Sequence, residues 1–506
     1  MKKDKKKKSF NFPSAFSVLF IVLIFAAVLT YLVPAGMYSR LTYNDGDNTF
    51  TITDQEGEET NVDATKEFLK ENNVSIPLEK FQDKSIKKPI AIPGSYEKIE
   101  QNPQGPKEII LASIQGVEES VDIIVFVLII GGIIGLLNET GTFNAGMSAL
   151  SKKTKGKEFL MIIIIFSLIA LGGTTFGLAE ETIALYPILL PIFLTAGYDA
   201  MVVIATIYLG SCVGTMFSTT NPFSVVIASN AAGINFTTGQ NFRILGLVAT
   251  TIATLIYIGR YAKKVKENPE SSIIAEDMPR IRKEFLQDHD PQATVEFTIK
   301  KKLTLIVFVL AFVVMIWGVQ SKQWWFQEMS GVFLVAGIII MFLSGLPEKK
   351  AVSTFMDGAS DLVSVALIIG VARGINIILD NGFISDTLLY NATNLISGMS
   401  GVVFSWVQMA IYSILGIFIP SSSGLAALSM PIMAPLADAV NVGRDVVVSA
   451  YNFGQGWMAY ITPTGLVIAT LELVGVTYDK WFKWVIKLLG ITILISLAVL
   501  TLQVLI

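Results

Sequence analysis

The stretch FLMIIIIFSLIALGGTTFGLAEETIALYPILLPIFLTAG, Phe159–Gly197, decides how the rest of the chain is read. It is apolar at both ends and broken in the middle by Gly172–Gly173–Thr174–Thr175–Phe176–Gly177. Each arm falls short of the ~20 residues a helix needs to cross a hydrocarbon core. A re-entrant helical hairpin, entering and leaving on one side, fits this pattern better than two full crossings. Val402–Val440 has the same shape, with its break at Pro420–Ser421–Ser422–Ser423–Gly424. Arm length and polar tips carry the expectation of two hairpins.

Around them lie longer apolar runs. Nine crossing segments are expected near Phe16–Val33, Glu118–Leu137, Asp199–Ala232, Asn241–Tyr261, Leu303–Val319, Met329–Leu346, Asp361–Asp380, Gly443–Leu473 and Trp481–Ile506. The chain is 52% hydrophobic and 16% charged, whereas a soluble protein carries about 25% charged residues. The fold class expected is therefore an all-α polytopic membrane protein with the lipid bilayer as its solvent. Basic residues set the orientation. Met1–Lys8, Lys152–Lys157, Arg260–Lys302, Pro347–Lys350 and Lys480–Lys487 would all be cytoplasmic, whereas Gly233–Gln240 and Asn381–Gly401 carry no Lys or Arg and would be outside. Tyr38–Lys107 is a polar outer insertion, long enough to form a small cap.

The division expected along the chain is a basic cytoplasmic tail (residues 1–15), a first repeat (16–264, with 38–107 outside), a cytoplasmic linker (265–302), a connecting helix and loop (303–328) and a second repeat (329–506). The repeat shows in the letters. Gly177–Leu178–Ala179 recurs as Gly424–Leu425–Ala426, and Pro187 and Pro191 recur at the same spacing as Pro431 and Pro435. Glu139–Thr140–Gly141 recurs as Asp380–Asn381–Gly382. Each half also holds a long helix interrupted by polar residues and proline, at Ser218–Thr219–Thr220–Asn221–Pro222 and at Tyr460–Ile461–Thr462–Pro463–Thr464–Gly465. An odd number of spans between the repeat starts would invert the second half. Inverted repeats with broken helices are a signature of secondary transporters, because a helix ending inside the membrane leaves main-chain groups that need a cavity or a ligand.

Other classes find little support. Cys212 and His289 are the only residues of their kinds, which removes His-rich metal sites and internal disulfides. No glycine loop with a following Lys and Ser/Thr offers ATP-driven transport. No catalytic set, resident metal, cofactor or nucleic-acid partner is expected.

At this point the sequence resembles a known group. Phe12–Phe16, Val33–Tyr38, Gly177–Thr182, Gly370–Gly374 and Pro420–Gly424 resemble YfcC-type carriers, within the anaerobic C4-dicarboxylate carrier family of the ion-transporter superfamily. The resemblance implies a homodimeric carrier of the bacterial inner membrane working as an elevator. Nine spans plus two hairpins resembles the p-aminobenzoyl-glutamate transporter architecture. The family name suggests dicarboxylates, while some relatives exchange arginine for ornithine. Related sodium-coupled carriers show Ser-Asn-Thr at their hairpin tips, where this chain has Thr174–Thr175 and Ser421–Ser423.

The candidate substrate-binding residues gather at the breaks. Glu180 and Glu181 stand where the second arm of the first hairpin begins. A carboxylate at membrane depth costs about 2.5–3.5 kcal/mol or more, so it binds something or caps the helix dipole. Ser421, Ser422 and Ser423 suit a substrate carboxylate at a helix N-terminus, or a plain N-cap. Ser218, Thr219, Thr220, Asn221, Asn452, Gln455, Thr462 and Thr464 line the two helix breaks, unless their side chains bond back to their own carbonyls. Arg373, mid-span, either meets a substrate carboxylate or pairs with Asp361, Asp380 or one of the glutamates. The tryptophan pairs at 324–325 and at 481 and 484 read as interface anchors. An acidic tip opposite a neutral hydroxyl-bearing tip favours an amino acid, with arginine/ornithine exchange first and C4-dicarboxylate transport coupled to H+ or Na+ as the alternative.

Overall fold

A computed structural model describes residues 15–83, 86, 89–143, 145–146, 158–286, 296–322, 324, 326–394, 399–419, 421–463 and 466–506. The basic runs at 1–8 and 152–157, the tip residue Pro420, Trp325 and the candidate Thr464 lie outside the described residues.

The chain is mostly helical. Among the described residues, seven helices are long and apolar enough to cross a membrane: Val121–Glu139, Glu158–Phe176, Gln240–Glu267, Phe326–Ser344, Val363–Asn381, Gly401–Phe418 and Tyr478–Leu505. Ala15–Leu32 and Ile299–Lys322 occupy two further expected spans. Ile299–Lys322 leaves Ile306, Val309, Leu310, Val313 and Trp317 about half exposed. A continuous apolar flank of that kind is at rest only against lipid or another apolar surface.

Both long interrupted helices break where the polar clusters predict. Ala200–Met216 stops at Phe217, and the chain resumes as a π-helical turn at Pro222–Val226 followed by Ile227–Ala231. Asn221 caps the restart by accepting from Phe223 N at 2.9 Å, and Pro222 has no N–H to lose there. Arg444–Met458 stops at Ala459 and resumes at Leu466–Val474.

The two apolar stretches form helix–break–helix units. Glu158–Phe176 ends at Gly177, which sits at φ +81°, a conformation favouring glycine. A 3₁₀ turn, Glu180–Leu185, leads into Tyr186–Thr195. Gly401–Phe418 likewise turns into Ser422–Ala439, capped by Ser421, whose Oγ accepts from Gly424 N at 3.2 Å. The ends of each unit come together. Glu158 and Tyr198 both meet Lys266, by a 3.3 Å ion pair and a cation–π contact at 5.4 Å. In the second unit Gly401 lies against Val442, a Cβ at Gly401 falling 2.7 Å from the Val442 side chain.

Close helix pairs are made by glycine. A Cβ at Gly173 would lie 2.8 Å from Ser211 O, so the first arm and Ala200–Met216 touch backbone to backbone. Gly135 makes the same approach to Thr354 O at 2.7 Å, joining Val121–Glu139 to Glu348–Asp361. Small residues permit such contact between membrane helices.

The insertion after the first helix departs from the all-α expectation. It forms an antiparallel four-stranded sheet in the order Glu59–Asp63, Thr49–Thr53, Arg40–Asn44, Ile90–Ala91. The alternation in RLTYN and TFTIT has the strand period and sends Leu41 and Phe50 inward, both wholly buried. Phe50 packs edge-on to Phe81 with centroids 5.1 Å apart. The domain is anchored by Asp386, whose carboxylate takes Arg40 Nη2 at 2.8 Å and Tyr38 N at 2.8 Å. Tyr96 stacks on Tyr390 at 4.1 Å.

Candidate functional site

The break of the first unit is stitched to the first broken helix. Thr174 Oγ1 donates to Phe217 O at 2.7 Å, and Thr174 O accepts from Thr219 N at 2.9 Å and Thr220 N at 3.1 Å. Thr220 Oγ1 donates to Thr175 O at 3.0 Å, and Asn221 Nδ2 to Gly173 O at 3.3 Å. The structure thus brings Thr174, Thr175, Thr219, Thr220 and Asn221 into one cluster. The hydroxyl of Thr175 bonds back to Leu171 O at 2.6 Å, the bland alternative for that side chain.

Ser218 carries the cluster to the second half of the chain. Ser224 Oγ lies 3.3 Å from Ser218 Oγ and donates to Asn452 Oδ1 on the second broken helix. Ser218, Ser224 and Asn452 are buried. The packing is reciprocal between halves. Ser422–Ala439 lies against Pro222–Val226 and Ile227–Ala231, while Tyr186–Thr195 touches Leu466–Val474. The second arm of each unit therefore abuts the broken helix in the opposite half of the chain.

Glu180 and Glu181 are half-buried in the 3₁₀ turn beside Val121–Glu139. Glu181 Oε2 accepts from Ala179 N at 3.0 Å and so caps its own turn. Ser421 is a true N-cap, Ser422 O accepts from Tyr451 Oη at 2.7 Å, and all three serines remain half-buried. Gln455 packs under Gly416, a Cβ there falling 3.3 Å from its Cγ. Thr462 is buried and bonds back to Met458 O at 2.8 Å.

Arg373 is not among these groups. Its Nε pairs with Glu119 at 2.9 Å, a partner the sequence reading did not name, because Glu119 ends a helix, Pro106–Glu119, that the apolar pattern does not reveal. Gln115, Glu118, Glu119, Arg373, Asn376 and Asp380 line a polar cavity of about 350 Å³ between the two helices. The expected interface role of Trp481 and Trp484 also fails. Both are buried, and Trp481 Nε1 donates to Tyr460 O at 2.8 Å.

Sequence reasoning missed Ser224 and Arg243. Arg243 is wholly buried beneath the first break, with Nε donating to Ser218 O at 3.0 Å. A lone arginine in the first turn of a long apolar helix was the available signal.

The chain matches the C4-dicarboxylate anaerobic carrier family, DcuC, over residues 12–505. It belongs to the DcuC family. This DcuC-family chain is 49% identical, over all of its length and 99% of the relative's, to a protein of Haemophilus influenzae (strain ATCC 51907 / DSM 11121 / KW20 / Rd) that carries no functional name. It is 36% identical over 74% of its length and 76% of the relative's to YfcC of Escherichia coli strain K12, whose name, basic amino acid antiporter, is itself provisional. Two solved transporter structures align along nearly the whole chain. MtrF of Neisseria gonorrhoeae, described within a class of antimetabolite efflux pumps, has 13% identity and a TM-score of 0.42, covering 98% of this chain and 96% of its own. The YdaH transporter of Alcanivorax borkumensis has 11% identity and a TM-score of 0.39, covering 97% and 98%. As a DcuC-family member of the YfcC type, the protein is a multi-pass membrane transporter.

Proposed function

We propose that this carrier moves a small charged metabolite by secondary active transport, favouring exchange of cationic amino acids of the arginine/ornithine kind. The observation carrying this reading is the convergence of two hairpins on two broken helices. Lys266 joins both ends of the first, Gly401 meets Val442 at the ends of the second, and Ser224–Asn452 links the breaks. Ends meeting in this way favour re-entry over crossing. Inverted repeats then put the hairpin bases on opposite faces, and the basic-loop pattern puts the N-terminus in the cytoplasm of a bacterial inner-membrane protein. The hairpins and broken helices form the moving part of an elevator, against a frame that includes the glycine-packed pair Val121–Glu139 and Glu348–Asp361, in a homodimer.

Glu180 would hold the cationic end, with Glu181 bracing the turn, and Ser422, Ser423 and the helix N-terminus the carboxylate. Thr174, Thr175, Ser218–Asn221, Asn452, Gln455 and Thr462 shape the space between. The name of YfcC agrees with a basic amino acid. The family description supports a second reading, C4-dicarboxylate transport with the glutamates carrying protons. Purified protein in vesicles loaded with ornithine tests the choice. Uptake of labelled arginine that stops without internal ornithine supports exchange. Uptake of labelled dicarboxylate with no response to any cationic amino acid overturns it.

A further inference from the structure

The polar cavity beside Arg373 stands apart from the helix breaks. It holds about 350 Å³, within the range of roughly 300–1,000 Å³ usual for small-molecule sites. Two helices build it from residues three and four apart, which share one helix face. Gln115, Glu118 and Glu119 come from Pro106–Glu119, and Arg373, Asn376 and Asp380 from Val363–Asn381. Gly116 lets the helices touch, a Cβ there falling 2.3 Å from Gly370 O, so the two polar faces are held together. The end at Asp380 and Asn381 is exposed and adjoins the strand-bearing insertion, whose Asn102 donates to Asn381 O at 3.0 Å.

Acceptors and negative charge are in excess here. Glu119 Oε2 takes Arg373 Nε at 2.9 Å. The charges of Arg373 and of Arg40, from the insertion, act on Asp380, and those of Glu119 and Asp386 act against them. Two guanidinium groups thus serve Glu118, Glu119, Asp380 and Asp386. The Oδ1 of Asn376 is buried with no hydrogen-bond partner among the described residues, which is costly unless something donates to it.

The acidic stripe continues past the cavity. Ser120 separates Pro106–Glu119 from Val121–Glu139 without ending the helical bonding, since Ser120 N donates to Val117 O at 3.2 Å and Ile124 N to Ser120 O at 2.9 Å. Asp122 is the next polar residue on that face. Its charge acts on Glu180, in the 3₁₀ turn that packs on Val121–Glu139.

Such a lining suits a ligand that brings donors and positive charge. Ammonium and guanidinium groups carry donors and no acceptor, and a charged cleft with low-dielectric walls concentrates ions of opposite sign. A dicarboxylate would meet three like charges in the same space. We propose that this cavity is a second binding site, for the ammonium or guanidinium end of a solute, from which the solute passes by Asp122 to Glu180. The passage rests on the carrier reading above and deepens it, whereas occupancy of the cavity does not depend on that reading.

The test uses the full chain in detergent and in vesicles, with Glu180→Gln removing the carboxylate at the break. Methylguanidinium chloride is expected to raise the melting temperature of that variant above its value in an equal concentration of NaCl. Adding Glu118→Gln and Asp380→Asn is expected to abolish the rise. Gln115→Lys in the Glu180→Gln background, which tethers an ammonium in the cavity, is expected to abolish it too, and decides should the triple variant not fold. No rise for Glu180→Gln overturns the proposal, as does a rise that NaCl matches or that survives the cavity substitutions. In vesicles at low salt, Glu118→Gln with Asp380→Asn and Glu180 intact is expected to act on the KM for labelled arginine, about tenfold, rather than on the maximal rate. The gap is expected to close at high salt, where charges are screened. An unchanged KM overturns the passage to Glu180. Absence of arginine uptake by the wild type counts against the carrier reading alone, because the melting measurements decide the site without it.

Discussion

Ser224 on the first broken helix donates its hydroxyl to Asn452 Oδ1 on the second, and both side chains are buried. The bond crosses from the first half of the chain to the second at the point where both helices carry polar residues. Removing one partner leaves a buried acceptor or donor unsatisfied, at a cost of about 1–3 kcal/mol. Ser224→Ala and Asn452→Ala should each lower stability by that order, and the double variant should lose less than the sum. A double-mutant cycle on melting and on uptake measures the coupling; additive losses would show that the contact joins nothing.

The two glutamates should separate. Glu181 caps its own turn through Ala179 N, and an amide oxygen can do the same. Glu181→Gln is therefore expected to retain folding and most uptake. Glu180→Gln should keep the fold and lose about tenfold to a hundredfold in uptake, the worth of one charge-assisted hydrogen bond to the substrate. Initial-rate transport of both variants, beside their melting curves, checks the split.

Sidedness is open to thiol chemistry, because the single native cysteine, Cys212, is buried. In a Cys212→Ala background, Glu158→Cys and Thr195→Cys should be labelled by an impermeant maleimide from one face. Ser400→Cys and Val440→Cys should be labelled from the other. Labelling of Glu158→Cys and Thr195→Cys from opposite faces would mean that the first unit crosses the membrane.

Asp386 ties the strand-bearing domain to the helical body by accepting from Arg40 and from Tyr38 N. The carboxylate is 4% exposed and the Arg40 side chain 27%. Asp386→Asn should cost about 1.5–3 kcal/mol and quicken proteolysis within residues 40–98 ahead of the helices. Limited digestion followed by mass spectrometry reads this out.

On the same domain, Lys66 Nζ lies 2.6 Å from Glu79. The hydrogen bond from Lys66 holds the Glu79 carboxyl below its usual range, and the same bond holds Lys66 above its own. A lowered carboxyl stabilises fully above its unfolded pKa, and that share fades as pH falls through the folded value. A raised ammonium stabilises fully below its unfolded pKa, and that share fades as pH rises through the folded value. Glu79→Gln should therefore differ from wild type only between those limits, and slightly, since both groups face solvent. Melting curves across pH decide; a difference that grew toward either extreme would contradict the pairing.

Much of this was legible in the letters because the membrane restricts the choices. An apolar run broken by Gly-Gly-Thr-Thr or Ser-Ser-Ser has few folded solutions, and both units turn near those residues. The expected spans correspond to helices within a few residues at each end, from Ala15–Leu32 to Tyr478–Leu505. What escaped reading was set by partners far along the chain. Arg373 finds Glu119 because Gly116 allows its helix to lie directly on Gly370 and Gly374. Trp481 is drawn inward by Tyr460 O rather than outward to an interface. Arg243 resembles any helix-end arginine until Ser218 O is seen above it. The sheet between Arg40 and Ala91 shows its strand alternation only over short runs, which a survey tuned to long apolar helices passes by.

The charged linker has a consequence for how the two halves behave. Ser272 donates to Asp199 at 2.6 Å, at the foot of the first broken helix, and Asp277 takes Lys480 at 2.7 Å, where the last long helix begins. Arg280 adds a bond to Gly475 O. The chain from Ser272 to Arg280 is thus a yoke between the two halves of the sequence. Displacing one half against the other would have to break these bonds, so the linker resists their separation.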